Sequence, residues 1–102
     1  MKVVDDSQCG ARIELPCGGV ALVRLKENPT TGYRWSLEDA GGLVLEASAP
    51  LTGGGAVGAA GVHEFRLRAI QPGLSQIQLK HWREWQGDSS VIARFNITVQ
   101  IT

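Results

Sequence analysis

Apolar and polar residues alternate with period two along most of this 102-residue chain, and thirteen glycines break the alternation into short pieces. Successive side chains on a strand point to opposite faces, so such runs make half-buried strands. A helix needs apolar residues three and four apart, and that spacing is hard to find here. The cleanest run closes the sequence. Val91, Ala93, Phe95, Ile97, Val99 and Ile101 form one face, and Arg94, Asn96, Thr98, Gln100 and Thr102 form the other. Ile77, Leu79 and His81 oppose Gln76, Gln78, Lys80 and Trp82, while Phe65, Leu67 and Ala69 oppose Glu64, Arg66 and Arg68. Ala21, Val23 and Leu25 share a face in residues 20–26, as do Tyr33, Trp35 and Leu37 in residues 33–37. A short strand covers residues 43–47. With the N-terminal segment this makes about seven strands, closely spaced and separated by turn residues. The prediction is an all-β fold, an immunoglobulin-like antiparallel β-sandwich, with a small barrel as the alternative.

The length suits one core and one domain, residues 1–102. Ten basic and ten acidic residues cancel. A neutral chain offers no electrostatic footprint for nucleic acid or for an anionic membrane, and no apolar run approaches a membrane span. Neither partner is expected, and a monomer is. The first residues, Met1 to Asp6, lack the apolar core of a signal peptide. The protein then either stays inside the cell or has had a signal removed. Cys9 and Cys17 are too few for a metal site, and no cofactor motif occurs. A straight strand between them would hold them about 26 Å apart at ~3.3 Å per residue, beyond reach of a disulfide. A bridge therefore requires a hairpin, for instance at Pro16. The alternative is two free thiols in small core positions.

Three segments between strands stand out. Asn28, Pro29, Thr30, Thr31, Gly32 and Tyr33 combine a fixed proline φ, two χ1-stiff threonines and a glycine able to reverse the chain. A stiff loop loses little entropy on binding, which suits blocking a partner better than catalysis. Residues 53–61 are almost wholly glycine and alanine, with a bare backbone that another chain can approach closely. They lack the Gly-Lys-Ser/Thr ending of a phosphate loop. Residues 81–86 place Trp82, Arg83 and Trp85 together in a chain of six aromatics. Trp and Arg dominate binding hot spots. One of the two tryptophans is expected to cap the sandwich and the other to protrude. The segments follow the second, fourth and sixth strands, whose loops share one end of such a sandwich.

These residues resemble the chagasin family of cysteine protease inhibitors. That family's first loop reads Asn-Pro-Thr-Thr-Gly-Tyr, matched by Asn28 to Tyr33, with Trp35 as the aromatic beyond it. Its glycine loop corresponds to Gly58, Ala59, Ala60 and Gly61, leading to Phe65. Its Arg-Pro-Trp corresponds to Arg83, Glu84 and Trp85, with His81 where Tyr is common. The resemblance implies a protein that wedges three loops into the cleft of a papain-like cysteine protease. Thr30 and Thr31 would approach the enzyme's Cys-His pair. The glycine loop would pair along one side of the cleft, and Arg83 and Trp85, with Trp82 beside them, would grip the other. Glu84 in place of proline leaves the third loop freer and adds a charge.

Two rival readings have less support. Catalysis needs a nucleophile, a base and an orienting group together, and His63, His81, Cys9 and Cys17 show no spacing that provides this. A binding or adhesion module would use the exposed tryptophans to stack on sugar or protein, but it leaves the complete hexapeptide unexplained.

Overall fold

The alternating runs form strands whose apolar faces meet between two sheets. The computed structural model describes residues 2–27, 33–51 and 61–102. The strands are β1 (Lys2–Asp5), β2 (Arg12–Leu15), β3 (Val20–Glu27), β4 (Arg34–Asp39), β5 (Leu43–Leu51), β6 (Gly61–Ala69), β7 (Gly73–Trp82) and β8 (Ala93–Ile101). One sheet has the order β1-β3-β6-β5 and the other β2-β8-β7-β4.

The N-terminal segment supplies two strands where the pattern suggested one. Asp5 accepts a hydrogen bond from the Ser7 amide, and Gln8 Oε1 accepts one from the Asp5 amide. This capped 3-10 turn, Asp6–Gln8, carries the chain from one sheet to the other. The sheets are consequently mixed rather than purely antiparallel. β1 runs parallel to β3 and β2 runs parallel to β8, because neither pair is joined by a hairpin. Every other pairing is antiparallel.

Both cysteines are free and exposed, so the expected core thiols are not there. The small inner positions belong to Ala21 and Ala69. β2 runs straight between the cysteines, and the turn after Pro16 leads into the opposite sheet instead of folding back to bring them together. The final run faces inward from Phe95 onward. Ala93, at the start of β8, is exposed. Leu25, Leu67, Ile77, Leu79 and Ile97 are fully buried, each contributing about 1.5–3 kcal/mol of transfer free energy.

The β4–β5 turn closes the end of the sandwich where β7 begins. Gly41 has φ +55°, and a Cβ there would lie 2.8 Å from Ser75 Cβ. The Gly42 amide donates to Ser75 Oγ at 2.8 Å, so the turn has no room to retreat. A Gly41→Ala variant is expected to lose about 1–2 kcal/mol of stability. Urea denaturation would show a lower midpoint with unchanged slope. An unmoved midpoint would mean the turn relocates without cost.

Candidate functional site

Strand register gathers the ends bounding the three singled-out connections at one pole. Glu27 pairs with Gly61 and Leu51 with Val62, so β3, β5 and β6 end or begin side by side. Arg34 pairs with Trp82 and His81 with Ala93, so β4, β7 and β8 do the same in the facing sheet. Of the predicted site residues, Asn28, Pro29, Thr30, Thr31, Gly32, Gly58, Ala59 and Ala60 lie outside the described residues. Tyr33, Gly61, Trp82, Arg83 and Trp85 are described, and all belong to this pole.

The inward faces change character as the strands reach it. Leu25 gives way to Glu27, Phe65 to His63, Leu79 to His81, and Leu37 to Trp35 and Tyr33. Strand alternation therefore sets a polar and aromatic layer between the apolar core and the connections. In that layer the Trp35 ring stacks on His81, with centroids 4.7 Å apart and planes within 10°. Tyr33 meets His81 edge-on at 5.8 Å. The Trp35 indole N–H donates to the Lys26 carbonyl at 2.9 Å, a bond that crosses from one sheet to the other. Glu27, 8% exposed, accepts the Trp35 amide at 2.9 Å. His63 Nδ1 lies 3.3 Å from both Glu27 oxygens, and its ring stacks on Phe65 at 4.5 Å.

The third connection is hydrogen-bonded into two 3-10 turns, Glu84–Gln86 and Asp88–Ser90, joined at Gly87 with φ +72°. The buried Ser90 hydroxyl accepts the Arg83 amide at 3.0 Å and lies within donating distance of the Gly87 carbonyl at 2.7 Å. The Arg83 guanidinium lies 4.3 Å from the Tyr33 ring centroid and 6.0 Å from that of Trp85. This cation–π arrangement links the end of the first connection to the third.

The two tryptophans divide as expected. Trp82 is half-buried, its indole N–H donates to Ser36 Oγ at 2.9 Å, and Lys80 Nζ sits 3.5 Å over its ring. Lys80 also bonds Asp88 at 2.9 Å. That hydrogen bond, and then the charge behind it, hold the Asp88 carboxyl below the ordinary aspartate range. Trp82 thus serves as a footing for the connection. Trp85, 71% exposed, is the group left to reach outward. Ile92, 59% exposed with its amide fixed to the His81 carbonyl at 2.9 Å, adds apolar surface on the same connection. Sequence reading passed over it, although the alternation sets it on the outward face with Arg94.

A pole where the strand ends bounding three connections come together is the place from which a β-sandwich can present loops to a partner. Residues 14–99 match the Chagasin family peptidase inhibitor I42, and the chain belongs to this family. Membership makes it a peptidase inhibitor rather than an enzyme. Its fold is similar to that of the cysteine protease inhibitor EhICP2 from Entamoeba histolytica, at TM-score 0.86 and 21% identity over 99% of this chain and 95% of that one. It is also similar to PbICP-C, whose structure is in complex with falcipain-2, at TM-score 0.66 and 16% identity over the whole of both chains. The Leishmania mexicana ICP gives TM-score 0.65 and 20% identity over 92% of this chain and 90% of that one. No curated protein sequence matched.

Proposed function

We propose that this protein blocks the active-site cleft of a papain-like cysteine protease with the three connections at its loop pole. The observation that carries this is the strand register, which sets the bounding strand ends of all three side by side with Trp85 projecting beside them. Asn28 to Gly32 would enter the cleft with Thr30 and Thr31 toward the enzyme's thiol. Residues 58–61 would pair with one wall through their backbone, and Arg83 and Trp85 would hold the other. No peptide bond of the inhibitor need be offered in attack geometry, so the block is reversible and the inhibitor survives it. Three such loops bury about 800 Å² per partner, the standard size for protease–inhibitor pairs. Support for the enzyme class comes from family membership and from the neighbour bound to falcipain-2. Titrating papain with the purified protein should remove its activity linearly to a stoichiometric end point. Undiminished activity at micromolar inhibitor would overturn the proposal.

A further inference from the structure

We propose that Glu27 is a positioning residue that locks the bases of the first and second connections to each other. This rests on the inhibitor reading above and assigns a part of its machinery that touches no enzyme. Glu27 is the last residue of β3, directly before the first connection, and its side chain turns inward at 8% exposure. A buried carboxyl needs partners, and it has three N–H or ring contacts of two kinds. Its Oε2 accepts the backbone amide of Trp35, two residues beyond Tyr33, which closes the base of the first connection across seven intervening residues. Both oxygens lie 3.3 Å from Nδ1 of His63, two residues after the second connection ends at Gly61. The backbones of Glu27 and Gly61 are themselves paired, so closely that a Cβ on Gly61 would lie 3.3 Å from the Glu27 carbonyl.

One side chain therefore bonds the exit of one connection and the exit of the other while standing at the entrance of the first. It also crosses between sheets, since Trp35 is in β4 and His63 in β6. Apolar packing has no means of fixing these backbone ends in register, because dispersion is non-directional. A carboxyl accepting a backbone amide is directional and strong. Fixing the bases before encounter lowers the ordering cost of binding.

The test uses the full chain in four forms: unmutated, Glu27→Ala, Glu27→Gln and, as a core control away from this layer, Ile97→Val. Amide hydrogen exchange is read at residues 33–35 and 61–63, together with the inhibition constant for papain. Glu27→Ala is expected to speed exchange at both segments and to weaken inhibition, each by about tenfold. Glu27→Gln keeps an oxygen for the Trp35 amide and should stay within about threefold of the unmutated protein. Ile97→Val should lower the melting temperature and leave the inhibition constant alone. Equal exchange in Glu27→Ala and the unmutated protein overturns the clamp. So does a loss of inhibition no larger than that of Ile97→Val. Should Glu27→Ala not fold, His63→Ala decides, with faster exchange at 61–63 expected and unchanged exchange fatal. An unmutated protein that leaves papain active strikes the inhibitor reading instead, and exchange alone then decides the clamp.

Discussion

A Trp35→Ala variant is expected to unfold with about 3 kcal/mol less stability, near the lower bound for truncating a tryptophan because the ring is only partly buried. Three separate contacts go with the side chain. The stacking on His81 holds β4 to β7, the indole bond to the Lys26 carbonyl holds β4 to β3, and the ring packs down onto the apolar core. The second of these joins one sheet to the other, so its loss loosens the loop end of the sandwich more than the far end. Urea denaturation with intrinsic fluorescence from the two remaining tryptophans would measure it. Trp35→Phe keeps most of the packing and loses the indole donor, so it should cost about 1 kcal/mol. A Trp35→Ala loss below that of Trp35→Phe would show that the ring does not tie the sheets together.

Trp85→Ala should leave stability within about 0.5 kcal/mol of the unmutated protein, since the side chain is 71% exposed. Inhibition should weaken by about 2 kcal/mol, roughly 30-fold in the inhibition constant, as for other tryptophan anchors buried on binding. The contrast with Trp35 is the informative part. One tryptophan is expected to act on folding and the other on binding, although both stand at the same pole. Equal inhibition constants for Trp85→Ala and the unmutated protein would remove the third connection from the contact surface. Trp82→Ala should behave more like Trp35→Ala in kind, because its ring is engaged by Lys80 and Ser36.

Much of this architecture was legible before any coordinates. Phe65, Leu67 and Ala69, or Phe95 through Ile101, alternate so cleanly that only one face of each strand suits a core. The protruding tryptophan was likewise readable, since Trp82 and Trp85 stand too close together at the end of a strand for both indoles to be hidden. Other features were not. Two four-residue strands separated by a capped turn look like one interrupted strand, and parallel pairing leaves no hairpin signature. The cysteines were placed in the core on residue type alone, which says nothing about the edge strand they flank. The run read from sequence stops at residue 26, one short of Glu27. Its period-two position put it on the inner face all along, but only its partners Trp35 and His63, eight and thirty-six residues away, make that burial intelligible.

The pairing of β2 with β8 has a consequence in time. Arg12–Leu15 lies against Thr98–Ile101, so the earliest and latest parts of one sheet are neighbours. Contacts this remote along the chain slow folding, because a long loop must close before they form. During synthesis, β2 waits for its neighbour until Thr98–Ile101 has left the ribosome. A nascent chain stalled before β8 would lack the strand that bridges β2 and β7, and would present open edges to chaperones rather than a finished wedge to a protease.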